Sequence, residues 1–309
     1  MTNPIVDAIC SSPYSDAAKA EGARLAEAYL ARFANEEEWE TLAVEAPFFL
    51  WLDPITLIVG VMDEVRRHIK TQRVEGLELK TRRAPKVKKD GTLYKGDTEQ
   101  DWLAEISDSP QLSVYGLGLY RGTFVGVDVP RCEKAMVRVR AAIKSAPPQV
   151  WPTADDGLFA FSVTLLDKVA ASLLSAAQSI RAHRQTGTVP WQMIGSWCSQ
   201  FGRDCRFLTL CRSRQSPPDS LRPFKGGEEA GERAYAAAVD ANPTTVVDGA
   251  FIQDVVAFSA SSYQSWGRCS ELYRLETSGQ YDKEESDALS VGSVFHLAIA
   301  TAKRERTKK

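Results

Sequence analysis

No apolar run in this chain approaches the roughly 20 residues that a membrane-spanning helix requires, and the amino terminus lacks a signal-peptide pattern. No membrane association is expected, and a cytoplasmic location follows by default. A bias of charge is missing too: 38 Lys and Arg stand against 40 Asp and Glu, a formal net charge of −2. That balance argues neither for nor against nucleic acid, because a local basic patch can be masked by acidic helices elsewhere. The six cysteines lack a secretory context, which makes them thiols or ligands rather than a disulfide framework. What is present is ordinary globular material, 309 residues of which 44% are hydrophobic and 25% charged. Such a chain can bury roughly three-quarters of its unfolded surface, as one domain with appendages or as one large and one small domain.

The most informative stretch runs from Ile55 to Tyr115. Ile55 to Asp63 is an apolar, β-branched run ending in an acid, and Gly76 to Thr81 is a second such segment. Both read as neighbouring strands. In the second, Glu78 and Lys80 are two residues apart and project from one face, while Leu77 and Leu79 face a core. An acid and a lysine side by side, with a second acid on the preceding strand, are the parts of a divalent-metal phosphodiesterase site. Carboxylates hold a hard cation through oxygen; the cation offsets phosphate charge and acidifies water. The lysine can polarise that water or stabilise developing negative charge. Taken alone, an acid-x-lysine spacing occurs by chance in many strands, and a salt-bridged surface hairpin is the plain alternative.

Asp63 followed by Glu78-Leu79-Lys80 resembles the PD-(D/E)XK nuclease signature, and Gln111-Leu-Ser-Val-Tyr115 resembles the QxxxY motif of its RecB-like branch. The resemblance implies an α/β fold, a restriction-endonuclease-like central mixed sheet flanked by helices, with a helical cysteine-bearing lobe. It also implies that Asp63 and Glu78 bind Mg²⁺ or Mn²⁺ with the Leu79 carbonyl, and that Lys80 orients the attacking water. Gln111 and Tyr115, one helical turn apart on one face, would look onto the site and the DNA. Ser109 and Pro110 predict the start of that helix.

Along the rest of the chain, residues 13–35 have amphipathic helical periodicity, and residues 39–52 read as a strand beside Ile55–Asp63. Glu45 on that strand either points into the metal site or is a solvated edge glutamate. The basic segment after Lys80 leaves the active edge directly. There Arg82, Arg83, Lys86, Lys88 and Lys89 are phosphate-contact candidates, although a charge run is ordinarily a solvated face. Val125–Val129 reads as a strand followed by a polar connection, and residues 155–184 as one long helical segment. An Ala-rich helix is expected from about Glu228 to Ala241, and Lys303 to Lys309 reads as a frayed basic tail.

Cys198, Cys205 and Cys211 fall within fourteen residues, and clustered thiols in a reducing compartment point to soft-metal ligation. RecB-like nucleases of the AddB type, which this arrangement resembles, hold a [4Fe–4S] cluster with three such cysteines and a fourth far upstream. The six-residue gap between Cys198 and Cys205 is longer than the family's usual two, which keeps a Zn²⁺ site open. Cys10 stands where family order puts the fourth ligand. Cys269, in a Ser-rich segment that resembles the opening of a RecB-like domain, is the better match. Gly292-Ser-Val-Phe-His296 resembles that family's first motif, whose histidine joins the metal site. Both features come last in this chain, so its order resembles a circular permutation of the family; a misassembled frame and two incomplete domains are the competing accounts.

The expected organisation is a nuclease core over 1–213, a connector over 214–258, and a motif-one segment over 259–309 that packs back on the core. The expected function is a metal-dependent DNA exonuclease or end-processing nuclease of recombination, repair or phage DNA metabolism, in a bacterial or phage-infected cell. Recombination or replication proteins are its expected partners. The alternatives are a catalytically inactive DNA-binding accessory protein with the same fold, and an α/β protein with a structural zinc site.

Overall fold

The computed structural model describes residues 4–33, 36–107, 109–132, 134–153, 157–186, 229–242, 246–247, 250–251, 255–259 and 287–307. The elements run α1 (Pro4–Ser11), α2 (Asp16–Arg32), β1 (Trp39–Asp53), β2 (Thr56–His68), β3 (Val74–Arg83), α3 (Glu99–Ser107) and α4 (Pro110–Arg121). Then follow β4 (Thr123–Phe124), β5 (Ala135–Lys144), β6 (Gln149–Trp151), β7 (Leu158–Phe161) and α5 (Val163–Thr186). The last are α6 (Glu229–Ala241), β8 (Val246–Val247), β9 (Ala250–Phe251), β10 (Val256–Phe258) and α7 (Asp287–Thr307). The main sheet has the order β4-β1-β2-β3-β5-β6, with β7 on β5 and β10 on β2, and β8 pairs with β9 apart from it. It is a mixed α/β fold whose central sheet is flanked by helices, consistent with the restriction-endonuclease-like class.

The chain divides into two compact units, one of Met1–Phe48, Val61–Val163 and Glu285–Lys309, the other of Phe49–Gly60 and Thr164–Glu284. In the first, β2 and β3 are antiparallel and β3 and β5 parallel, from Gly76↔Val137 to Arg83↔Lys144. Leu77 and Leu79 point to one face of β3 and meet α2 and the C-terminal helix α7 there. Ser15 caps α2 by accepting from the Ala18 amide at 3.3 Å, and the helix buries Ala18, Gly22, Leu25, Ala26 and Tyr29 along one stripe. The C-terminal helix answers with Val291, Val294, Phe295, Ala298 and Ile299, and Phe295 meets the Tyr29 ring edge-on at 5.9 Å. Gly22 lets the two helices approach, since a Cβ there would stand 2.6 Å from Val294 Cβ.

In the second unit, β10 runs parallel to the first residues of β2 through Val256↔Thr56 and Phe258↔Ile58. Arg181 of α5 donates to the Ile55 carbonyl at 3.2 Å and to Thr56 Oγ1 at 3.0 Å, and Trp51 Nε1 donates to the Ala238 carbonyl at 3.2 Å.

Several sequence expectations are corrected. Val125–Val129 forms no strand; the Val125 amide donates to the Pro47 carbonyl at 2.9 Å. The polar connection expected after it contains β5, the buried partner of β3, whose arginines alternate with apolar residues and obscure its strand character. Residues 158–161 pair with β5 as β7, because Leu-Phe-Ala-Phe continues the sheet before helix α5 begins at Val163. The basic tail is helical to Thr307, with Lys303 buried against Glu64.

A Gly22→Val protein should be destabilised by about 1–3 kcal/mol through overpacking against Val294. Chemical denaturation checks this, and a surface substitution such as Glu27→Ala should stay within about 0.5 kcal/mol.

Candidate active site

The paired stretch of β2 and β3 runs from Arg67↔Val74 to Glu64↔Leu77, and Asp63 is the next residue of β2. Its carboxylate takes over where the registered ladder ends, with Oδ2 accepting from the Leu79 amide at 2.6 Å. Its other oxygen, Oδ1, lies 3.1 Å from His296 Nδ1 on the C-terminal helix. Gly292, one turn before His296, keeps this helix near β3, since a Cβ there would lie 3.3 Å from Thr81 Oγ1.

Glu78 and Lys80 lie on the opposite face of β3 from Leu77 and Leu79 and form an ion pair. Helix α4 covers them: Ser109 Oγ accepts from the Gln111 amide at 3.3 Å, and Pro110 starts the helix. Gln111 then divides its amide between the two charges. Its Nε2 donates to Glu78 Oε1 at 2.8 Å, and its Oε1 accepts from Lys80 Nζ at 2.9 Å. The same Nε2 lies 2.9 Å from the Tyr115 hydroxyl, one turn along the helix. Groups from both faces of the sheet therefore meet at the end of the β2–β3 ladder, His296 reaching Asp63 and α4 reaching Glu78.

The charges perturb one another. Burial pushes Glu78 up and the negative charge of Asp63 adds to it, bringing its pKa to about 7 despite Lys80 and His296. Burial opposes ionisation of Asp63 as well, but His296, the Leu79 amide and Lys80 outweigh it and hold Asp63 below its ordinary value. Burial likewise disfavours charge on His296, yet Asp63 and Glu78 raise its pKa. Tyr115 is raised well above the usual phenol range, by burial first and then by the two carboxylates, so it stays a neutral hydroxyl.

The donor set suits a hard divalent cation. Two carboxylates face a common region, and Glu78 Oε2 is buried without a hydrogen-bond partner. A cation would satisfy that oxygen and relieve the mutual repulsion of the acids. Among the described residues no group of three or more His, Cys, Asp and Glu side chains forms a ready-made cage. Asp63 is tied to His296, and Glu78 to Lys80 and Gln111, so these bonds would rearrange on binding.

The other sequence-derived candidates fall into three groups. Glu45, at a φ of +47°, borders a small crevice with Asp63 and His296, but its carboxylate is engaged by Arg304. Arg82 and Arg83 lean on the buried Asp97, at 3.8 Å and 3.3 Å, whereas Lys86, Lys88 and Lys89 are exposed. Cys198, Cys205, Cys211 and Cys269 lie outside the described residues, and Cys10 is exposed near the start of the chain. Sequence reasoning missed Glu64, buried beside Asp63, which pairs with Lys303 and accepts from Thr41 Oγ1 at 2.6 Å. The available signal was spacing, since Lys303 lies two helical turns beyond His296 and so shares its face.

A protein-family model described as the PD-(D/E)XK nuclease superfamily matches residues 5–212. The match spans more than half of the chain, which belongs to this superfamily. No curated protein matches it. Membership suggests a metal-dependent nuclease, of which Mg²⁺ or Mn²⁺ is the usual cofactor and DNA the implied substrate.

Linkage gives a signed pH dependence. Glu78, raised from 4.5 to about 7, binds its proton more tightly when folded, so stability falls as pH rises through that interval. His296, also raised, contributes stability that is present below its unfolded value and lost as pH passes its folded value. Asp63, lowered, contributes above its unfolded value and loses that contribution only in acid. The metal-free protein should therefore melt at a higher temperature near pH 5 than near pH 8, a difference that Glu78→Gln should reduce. Thermal melts in chelator across that range provide the measurement.

Proposed function

We propose that this superfamily member hydrolyses DNA phosphodiester bonds at the Asp63–Glu78–Lys80 site. Support comes chiefly from one observation: a connected set of contacts joins His296, Asp63 and the Leu79 amide on one side, and Glu78, Lys80, Gln111 and Tyr115 on the other. Asp63 and Glu78 would hold Mg²⁺ or Mn²⁺, with the Leu79 carbonyl and His296 completing the sphere. When bound, the cation supplies Lewis acidity and neutralises phosphate charge.

The protein's own groups do the remainder. Lys80, released from Glu78 once that carboxylate turns to a cation, can donate to the attacking water or to a phosphoryl oxygen that gains charge. Gln111 fixes Lys80 and Glu78 relative to each other, and Tyr115 holds the Gln111 amide. Exposed Lys86, Lys88 and Lys89 are suited to non-specific contact with the DNA backbone.

The finer reading is a RecB-like exonuclease of recombination, repair or phage DNA metabolism, with a [4Fe–4S] cluster on Cys198, Cys205, Cys211 and Cys269. The circularly permuted order gains support from α7, the last helix of the chain, reaching Asp63 of β2 through His296. Zinc on the same cysteines is the alternative cofactor.

In a Mn²⁺-dependent assay, Asp63→Asn, Glu78→Gln and Lys80→Met should each lower cleavage by at least about 100-fold while leaving the circular dichroism spectrum unchanged. Full activity in Asp63→Asn would overturn the site assignment. Linear DNA degraded in preference to closed circles would support the exonuclease assignment; equal cutting of circles would replace it with endonuclease action. Anaerobically purified protein should show iron–sulfur absorbance that Cys269→Ser loses and Cys10→Ser retains.

A further inference from the structure

Beyond Arg83, the last residue of β3, the chain folds back on itself. Residues 84–96 form a small antiparallel arm in which Val87 is bridged to Leu93. The Lys88 amide donates to the Thr92 carbonyl at 2.7 Å, and the Tyr94 amide to the Lys86 carbonyl at 3.2 Å. A tight turn closes the arm: the Gly91 amide donates to the Lys88 carbonyl at 3.0 Å, and Gly91 takes a φ of +84°, which glycine adopts without steric cost. Asp90 Oδ1 fixes the tip by accepting from the Thr92 amide at 2.9 Å and the Thr92 hydroxyl at 2.7 Å. The base is fixed as well. Asp97, almost wholly buried, accepts from the Lys86 amide at 3.2 Å and pairs with Arg83 at 3.3 Å. Arg82, which by strand alternation shares the face of Glu78 and Lys80, donates to the Gly96 carbonyl at 2.9 Å. A run of lysines that only solvated a surface would need no such scaffold.

Alternation sorts the side chains of the arm into two faces. Val87 and Leu93 stand together on one and stabilise the arm as a cross-strand pair. Lys86, Lys88 and Tyr94 share the other, where Lys88 Nζ lies 5.8 Å from the centroid of the Tyr94 ring. All three are exposed, and Tyr94 is left 49% open to solvent, so its ring is available to a ligand. Among the described residues no carboxylate pairs with Lys86, Lys88 or Lys89, whereas Arg82 and Arg83 are engaged by Asp97.

We infer that this arm is a platform for single-stranded DNA, on which a base stacks against Tyr94 while Lys86 and Lys88 contact the flanking phosphates. The role rests on the nuclease reading above and adds to it the form of DNA that the site receives. An exposed aromatic ring set among ammonium groups matches a single strand: every base has a π-face for the ring, and every nucleotide a phosphate for the lysines. A duplex keeps its base faces covered by stacking, so Tyr94 would gain nothing from it. The position suits delivery to the acids. Lys86 is six residues beyond Lys80, at most about 22 Å of extended chain, and Tyr94 is bonded across the arm to Lys86. A strand held on Tyr94 therefore lies close to Glu78 and Lys80.

Fluorescence anisotropy on the full chain in chelator, where no cleavage occurs, tests this. The probes are a short oligothymidine strand, a strand of equal length built of abasic nucleotides, and a blunt duplex of that length. The protein should bind oligothymidine more tightly than the duplex. Tyr94→Ala should weaken oligothymidine binding about tenfold, near the lower end of what one stacked base contributes, and leave abasic-strand binding unchanged. Tyr94→Phe, which keeps the ring, should bind like the parent protein. Lys88→Ala should weaken both single strands and lower the salt slope by about 1. Thermal melts establish that each variant is folded. Oligothymidine binding indifferent to Tyr94→Ala, an equal loss on the abasic strand, or no preference over duplex would overturn the assignment and leave an arm that contacts phosphates alone. Because binding is read without metal, a failure of Mn²⁺-dependent cleavage in the parent protein would overturn the nuclease reading by itself and leave a single-strand-binding arm.

Discussion

Two carboxylates held side by side in a largely buried position are the constraint on which the rest of the site depends. Asp63 and Glu78 would repel each other strongly in a low-dielectric surrounding, and the pair persists because cationic and polar groups are brought to it. Lys80 comes from the same strand, Gln111 from α4 and His296 from the last helix of the chain. Lys80 and His296 favour the charged form of both acids, but at Glu78 burial and the charge of Asp63 outweigh them. The result is unequal: Asp63 is held ionised, while Glu78 titrates near neutrality and keeps one oxygen without a partner. A divalent cation would resolve that inequality, and its binding would accordingly be linked to proton release from Glu78.

The unequal pair requires the β2–β3 ladder to end beside Asp63. Inside a regular ladder the Leu79 amide would be taken by backbone; here it donates to the Asp63 carboxylate, which fixes the rotamer facing His296. The helix that carries His296 is far away in sequence, so its docking must be specified by packing. Gly22 removes the side chain that would keep it from α2, Gly292 keeps it near Thr81, and Lys303 meets buried Glu64 two turns past the histidine. Register and approach distance are set by different residues, and together they bring the imidazole to 3.1 Å from Asp63 Oδ1.

Strand alternation made Glu78, Lys80 and the two leucines legible in the sequence, and helical spacing did the same for Gln111 and Tyr115, because both follow from backbone period alone. The contact between His296 and Asp63 could be anticipated only through the family resemblance, since no local rule links residues so far apart. Strand β5 was missed for a physical reason. Its arginines make the segment read as a polar connection, whereas Arg138 and Arg140 are buried and paired with Glu75 and Glu36 from other segments. Val125–Val129 failed in the opposite sense, being apolar enough for a strand but placed where, among the described residues, the Val125 amide alone finds a sheet partner. Lys303 reads as tail in the sequence because what orders it is Glu64, an acid on a distant strand.

The central strands thus carry opposite electrostatic tasks on their two faces. Toward α4, β3 presents a carboxylate and an ammonium; toward α2, β2, β3 and β5 present arginines and Glu75 in a connected network. The charges that set the unequal acid pair are the near ones, His296 and Lys80 favouring the ionised Asp63 and Asp63 itself opposing ionisation of Glu78, while the arginines of the second face are engaged by Glu75 and Glu36 on their own side.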